Sequence, residues 1–243
     1  MHQIFVVRPS PKSRRMEIVE FGTNRLRDIF ARIYTQQDQA VRYSFYRTIR
    51  GYSWFAPSAG HIFEIHVLLW FWHSSYQLHQ CTGVKANSPT LSIPMCQGNI
   101  KFFLKAEELN NISEPGKPIC LVPTSRTFPT LNATILTDNA VITVQITVAL
   151  KHDVEEQEFD LIYRNLPPNL LAKRPDRYHV FITDSEINAR SLREQNQSQI
   201  PNGILVYSTT NTIEYLDSWT PATEERMDAL EKARVSMHWL YAI

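Results

Sequence analysis

One glutamate in an otherwise apolar helical stretch is the first residue of this 243-residue sequence that could do chemistry. Glu64 has large apolar side chains around it throughout residues 62–72, which is typical of a helix buried on most sides. A carboxylate is costly to bury unless it is paired, hydrogen-bonded or bound to a metal ion. We therefore expect Glu64 to face a polar cavity or a basic partner, unless it lies on the one exposed stripe of the helix.

Two alternating stretches in residues 130–150 predict a β-hairpin that carries the second group of polar side chains. Residues 138–139 are Asp-Asn, which tolerates the left-handed conformation of a two-residue turn. Closing the hairpin there places Asn132 opposite Gln145, with Cβ atoms roughly 5 Å apart and Thr147 on the same face. We expect that face to be a small polar patch and the other to be core. An ordinary cross-strand amide pair is the alternative to a site.

The common catalytic motifs are absent from the sequence. It contains no GxxxxGK[ST], GxGxxG, HExxH or GxSxG element, and Gly116-Lys117 is followed by Pro118. The eight histidines and the three cysteines lack the spacing of a zinc site or a disulfide framework, so we expect buried thiols. P-loop ATPases, dinucleotide enzymes, zinc proteases and serine hydrolases are therefore excluded for this chain.

Helices and strands alternate along the chain and must position these residues. Apolar spacing and capping residues predict helices over 24–50, 59–78, 154–164 and 221–241, with Thr23 or Asn24 and then Ser58 as N-caps. Strands are predicted at 4–7, 100–104, 119–122, 178–183 and 204–208, with a connector over 8–15, a loop over 80–98 and a loop or exposed helix over 185–197. This order predicts an α/β fold with a mixed sheet.

Net charge does not point to one class of partner, since 25 Lys and Arg balance 24 Asp and Glu. The first 50 residues are basic, with ten Lys and Arg against four Asp and Glu. The longest unbroken apolar run, residues 67–72, is far short of the ~20 residues that cross a bilayer. The first residues lack the pattern of a secretory signal. We expect an intracellular protein that does not enter a membrane.

Four short segments resemble a known family. They are His2–Pro9, Gly60–Glu64, Phe128–Asn132 and Val144–His152. Their amino-acid sequences are similar to the C-terminal nuclease region of fungal Crinkler-type effectors and of related proteins akin to retrotransposon hot spot proteins. The resemblance implies a restriction-endonuclease-like (PD-(D/E)xK) fold, which is a mixed sheet flanked by helices. In such nucleases carboxylates hold Mg²⁺ and a lysine orients the attacking water.

The resemblance assigns a role to each of the polar residues above. Glu64 matches the helix glutamate and metal ligand, Asn132 the hairpin aspartate, Gln145 the acid of the acid-x-lysine element, and Thr147 the lysine. The family often has Gln-x-Thr in the last two places, followed by a histidine as His152 is here, but it usually keeps the aspartate. Asn132 thus leaves Glu64 as the sole matched carboxylate, which offers Mg²⁺ little charge.

Two functions from different classes follow from the resemblance. The favoured one is a pseudo-nuclease with a degenerate site that binds nucleic acid, such as DNA, or a host protein, and acts in a nucleus or host cell. The alternative is an active Mg²⁺-dependent phosphodiesterase that uses Glu64 and the Gln145-x-Thr147 hairpin, with Lys151 or His152 near the phosphate or water. A decayed fragment without independent activity is a third possibility.

The sequence also offers candidate phosphate-binding residues and predicted domain boundaries. Five basic residues are the candidates for nucleic-acid binding, with a solvated surface as the ordinary alternative: Arg25, Arg32, Arg42, Lys173 and Arg174. In the related family a P-loop ATPase precedes the nuclease-like domain. Residues 1–23 are therefore predicted to be a strand and basic linker left from that module, and residues 24–243 to be the restriction-endonuclease-like domain.

Overall fold

The structure is a computed structural model that falls into two compact units, one ending at His66 and the other beginning at Val67 along the described chain. It describes residues 5–10, 13–21, 23, 26, 29–30, 33, 39–70, 79–83, 91–94, 96, 99–112, 116–124, 128, 130–151, 154–196, 200–201 and 203–210. The helix predicted over 221–241 lies outside these residues. The assignment of residues 1–23 to an ATPase remnant and of 24–243 to a nuclease-like domain stays a prediction.

The first unit begins with an antiparallel hairpin. Strand β1 (Phe5–Ser10) pairs with β2 (Ser13–Phe21), with an irregularity between Pro9 and Ser10. The second strand replaces the predicted basic connector. Sequence reasoning missed it because the two prolines signalled an end, whereas in a two-stranded sheet each strand has a free edge where proline costs no ladder hydrogen bond.

Two helices follow, α1 (Gln39–Arg50) and α2 (Ala56–Trp70), and the part of α2 up to His66 completes the described part of the first unit. The rings of Tyr46 and Phe63, both buried, stack with centroids 6.2 Å apart and join the helices. Helix α2 begins before Ser58, so the hydroxyl that was predicted to cap it donates instead to Val19 O at 3.1 Å. The predicted cap at Thr23 is confirmed, since its Oγ1 accepts a hydrogen bond from Leu26 N at 3.1 Å.

An eight-stranded mixed sheet forms the second unit, in the order β4-β3-β10-β9-β8-β7-β6-β5. Its strands are β3 (His79–Gly83), β4 (Leu91–Ile93), β5 (Ile100–Phe103), β6 (Ile119–Pro123), β7 (Ala133–Leu136), β8 (Ala140–Ile146), β9 (Asp176–Thr183) and β10 (Leu205–Thr210). Strands β6, β7 and β8 form an antiparallel meander, and β8, β9 and β10 are parallel. The mixed sheet confirms the predicted α/β class.

Helices α3 (Glu156–Arg164), α4 (Pro168–Ala172) and α5 (Glu186–Asn196) connect the parallel strands. Successive parallel strands that advance in one direction place their right-handed crossovers on the same face of the sheet. In agreement, Phe159 of α3 and Leu192 of α5 are both fully buried in one core cluster with Phe181 of β9. The crossovers therefore cover one whole face of β8 and β9.

Two local expectations change in the second unit. Residues 79–83 and 91–93 form the antiparallel pair β3–β4 within the predicted loop. Residues 186–196 form a helix, one of the two predicted alternatives, but its face with Asn188, Ala189, Leu192 and Asn196 is buried rather than exposed. Cys96 and Cys120 are buried free thiols as expected, while the side chain of Cys81 lies outside the description. In the described part of the chain no helix is long and apolar enough to span a membrane.

Candidate functional site

The hairpin that was predicted to carry the site is present as β7 and β8. Thr137 N donates to Ala140 O at 3.0 Å, and Thr137 Oγ1 accepts from Ala140 N at 2.9 Å, which closes a two-residue turn at 138–139. The ladder runs from Leu136–Val141 to Ala133–Val144. The predicted turn and the predicted register of these strands are confirmed.

Asn132 does not continue the ladder but ends it. Its backbone N donates to Val144 O at 3.0 Å, and its side-chain Oδ1 accepts a hydrogen bond from Ile146 N at 2.7 Å. In a regular hairpin a carbonyl of the opposite strand would accept from that N–H. The amide oxygen of Asn132 therefore takes the place of a backbone acceptor, and the paired positions stop one residue short of Gln145.

Gln145 lies on a face that the second unit buries completely. Its side chain and that of Thr143 are 0% exposed, and they stand beside Phe181 and His179 of β9 in the parallel register. Phe159 of α3 packs edge-on against His179 with ring centroids 5.1 Å apart. The predicted small polar patch is therefore buried, because the α3 crossover packs on this face of the sheet.

The residues after Gln145 have local roles. Thr147 N donates to Ile182 O at 3.0 Å, and its buried hydroxyl accepts from Ala149 N at 3.1 Å, which shapes the exit of β8. Lys151 is exposed. His152 lies outside the described residues, so its predicted role near the phosphate stays a prediction.

Glu64 belongs to the first unit, whereas the hairpin residues belong to the second. Its side chain is 24% exposed, and its Oε2 lies 3.6 Å from Nδ1 of His61 one turn earlier on α2. The glutamate thus lies beside an imidazole one turn away on its own helix, and the expectation of a polar cavity or a basic partner stays a prediction. The convergence of Glu64 with the hairpin amides stays a prediction.

The donor set of the hairpin does not suit Mg²⁺. This hard cation prefers several oxygen ligands with at least one or two carboxylates. Here Asn132 Oδ1 and Thr147 Oγ1 already accept backbone hydrogen bonds, and Gln145 is a neutral amide within the core. Within the described ranges, no three His, Cys, Asp or Glu side chains come together as a metal-binding group.

Glu158 of α3 is a buried acid that sequence reasoning missed. Its two carboxylate oxygens accept hydrogen bonds from Thr130 N at 3.1 Å and Leu131 N at 3.0 Å, just before Asn132. Burial raises the pKa of this carboxyl, and the two backbone donors lower it by less. A signal existed in the sequence, since Glu158 precedes the core residue Ile162 by four positions and so lies at the edge of the apolar face.

His179 is a second buried titratable group that the sequence analysis did not single out. Thr143 Oγ1 donates to Tyr178 O at 3.0 Å and lies 3.0 Å from His179 Nδ1, so the ring is assigned the tautomer with its proton on Nδ1. Its Nε2 has no hydrogen-bond partner among the described residues. Burial lowers the pKa of His179 to about 3, so the ring is neutral at physiological pH.

The predicted phosphate contacts are only partly described. Lys173 and Arg174 are exposed after α4, and Arg174 has a left-handed backbone with φ of 50°. Arg25 and Arg32 lie outside the described residues. Arg42 is in α1, but its side chain is not described.

A third exposed basic residue, Arg177, continues the basic segment into β9. The guanidinium of Arg177 lies 4.3 Å from the centroid of the Tyr163 ring, within the range of a cation–π contact. We define Lys173, Arg174 and Arg177 as the basic turn.

The basic turn and the hairpin amides lie at opposite ends of the sheet. The first residue of β9, Asp176, pairs with Ala140 at the start of β8, while Ile182 pairs with Ile146 at its end. Six residues of strand separate these pairs by roughly 20 Å. The two predicted groups of the second unit therefore do not form one site.

Comparisons with family models, with curated proteins and with solved structures found no match for this chain.

Proposed function

We propose that this chain is a pseudo-nuclease, a nuclease-like α/β domain that binds nucleic acid without cleaving it. The observation that carries the proposal is the use of the hairpin's polar groups inside the fold. The side-chain oxygen of Asn132 accepts a hydrogen bond from Ile146 N, and the hydroxyl oxygen of Thr147 accepts one from Ala149 N. Gln145 is wholly buried. Two of these three side chains already accept a backbone N–H and the third is shielded from solvent, and none of them supplies the carboxylate that a metal-dependent nuclease needs.

The basic turn supports nucleic acid as the partner. Its three side chains are exposed and lie within five residues of one another, between α4 and the start of β9. Arg177 rests on the Tyr163 ring, which holds its guanidinium plane at the surface. Arginine and lysine on a fixed turn contact phosphates without reading bases. Binding through this turn is therefore expected to depend little on sequence.

Cleavage assays test the first half of the proposal. With Mg²⁺ and either DNA or RNA, we expect the wild-type protein to give no more strand scission than an EDTA control, because one carboxylate binds this cation weakly. The variant Asn132→Asp preserves an acceptor for Ile146 N and adds a charge. Activity that appears only in this variant fits a degenerate site. Mg²⁺-dependent scission by the wild type, lost in a folded Glu64→Ala variant, would contradict the proposal and establish the active nuclease instead.

Binding assays test the second half. For the double variant Lys173→Glu, Arg174→Glu we expect the dissociation constant for nucleic acid to rise about tenfold and the slope of log K against log salt to fall by about 1.5. Lys101→Glu is the matched control, since Lys101 is an exposed lysine on the edge strand β5. Fluorescence anisotropy at several salt concentrations gives both quantities. Equal losses for the control and the double variant would contradict a role for the basic turn.

A host protein is the second candidate partner, and one surface favours it. Leu150 and Ile187 are 55% and 76% exposed, and they line an open groove of about 470 Å³ on α5 with Arg190 and Glu194. Exposed apolar side chains rimmed by charges are typical of protein contacts. Binding that is insensitive to salt and is lost in Ile187→Lys would favour this partner over nucleic acid.

A further inference from the structure

Two aromatic side chains are exposed side by side on the turn that follows α1. Tyr52 and Trp54 are 50% and 48% exposed, and their rings are nearly parallel, with centroids 5.7 Å apart and an angle of 15°. A large aromatic side chain normally buries most of its area in the core. Here two adjacent rings instead leave about half of each side chain at the surface.

The turn that carries these rings is held by backbone hydrogen bonds. Gly51 N donates to Arg47 O at 3.1 Å, Tyr52 N to Ile49 O at 3.2 Å, and Phe55 N to Tyr52 O at 3.0 Å. Ile49 is buried and fixes the end of α1 on the core of the first unit. The stacked pair is therefore placed by ordered backbone on both sides.

Positive charge lies immediately beside the aromatic turn. Arg47 and Arg50 occupy the last turn of α1, and the side chain of Arg47 is exposed. Residues 39–55, which form α1 and this turn, contain three arginines and no Asp or Glu, so the local charge is positive. A cationic surface with exposed aromatic faces suits a chain of phosphates that bears unpaired bases.

We propose that Tyr52 and Trp54 form a stacking platform for single-stranded nucleic acid, with Arg47 and Arg50 contacting the neighbouring phosphates. This inference rests on the proposed function and names the form of nucleic acid that the protein binds. A free base can extend the stack on the outer face of a ring, whereas a base inside a duplex already has neighbours on both faces. The platform thus selects single strands and accepts any base, because every base has a π-face.

The direct test measures binding of oligo(dT) and of a short blunt duplex by fluorescence anisotropy. We expect Trp54→Ala and Tyr52→Ala each to weaken binding of oligo(dT) by about 5- to 100-fold, which is the loss of one stacked base. Binding of the duplex is expected to change by less than about twofold. Trp54→Phe, which keeps an aromatic face, should restore most of the affinity and shows that the turn still folds.

Two further variants separate the outcomes. Leu205→Ala, at an exposed apolar residue of the second unit, is the matched control and should leave binding of oligo(dT) unchanged. If Trp54→Ala binds oligo(dT) as the wild type does while the charge reversals at Lys173 and Arg174 weaken binding, the platform is disproved and the proposed function stands. If the wild type binds neither probe at 50 mM salt, both proposals fail.

Discussion

Replacing Glu158 by alanine is expected to lower the free energy of unfolding by about 3 kcal/mol. The side chain accepts hydrogen bonds from the buried N–H groups of Thr130 and Leu131 at 3.1 and 3.0 Å. Each buried donor left without an acceptor costs roughly 1–3 kcal/mol. Part of that loss is offset, because removal of the carboxylate also removes the cost of its burial, the same cost that raises its pKa. Urea denaturation followed by circular dichroism measures the difference.

Two further variants make this prediction specific. Glu158→Gln keeps one acceptor oxygen and should lose about half as much stability as the alanine variant. Glu155→Ala is the matched control, because Glu155 is exposed at the start of α3 and makes no capping hydrogen bond. We expect it to cost less than about 1 kcal/mol. A Glu158→Ala protein as stable as the control would show that the two backbone donors do not depend on the carboxylate.

Acidification from pH 7 to pH 5 is expected to lower the free energy of unfolding by about 2 kcal/mol through His179 alone. The pKa of His179 in the fold is about 3, whereas its ordinary value is 6.5. The unfolded chain therefore takes up the proton first. The contribution to stability is complete above pH 6.5 and is lost as the pH falls toward 3, by about 1.4 kcal/mol per pH unit.

The physical cause is the environment of the imidazole. Phe159 and Phe181 pack edge-on against the ring, with centroids 5.1 and 4.6 Å away. Protonation at Nε2 would place a charge in this apolar core. His179→Leu removes the group, and Thr143 can still donate to Tyr178 O. The difference in pH dependence between wild type and His179→Leu isolates the effect. Parallel curves for the two proteins would refute the assignment.

The hairpin shows what local sequence information could predict. Strand alternation fixed the faces of β7 and β8, and the Asp-Asn turn fixed their register, because both signals act between residues that are close in the chain. The amphipathic spacing of α3 predicted its buried residues Phe159, Ile162 and Tyr163 for the same reason. The α/β class then followed from the order of the elements.

The missed elements show where such signals are weak. The strands β2, β3 and β4 have few alternating apolar residues. The prolines and polar residues around them are typical of connecting segments, so the sequence predicted loops there. Their backbone groups find partners through pairing with another strand, which no single short segment encodes. The start of α2 was predicted too late in the chain because serine is a typical N-cap residue. The hydroxyl of Ser58 donates instead to the backbone oxygen of Val19 in β2.

The sequence by itself determined the hairpin, its register, the helix that follows and the class of fold, since these depend on periodicity and turn chemistry. Only the tertiary structure decided what the polar side chains do. The crossover helix α3 covers the face of the sheet that carries Gln145 and brings Glu158 to the backbone of residues 130–131, while the side chain of Asn132 accepts a hydrogen bond from Ile146 N. Burial and hydrogen bonding between distant segments depend on how the layers of the fold pack. Residue type and spacing along the chain do not predict that packing directly.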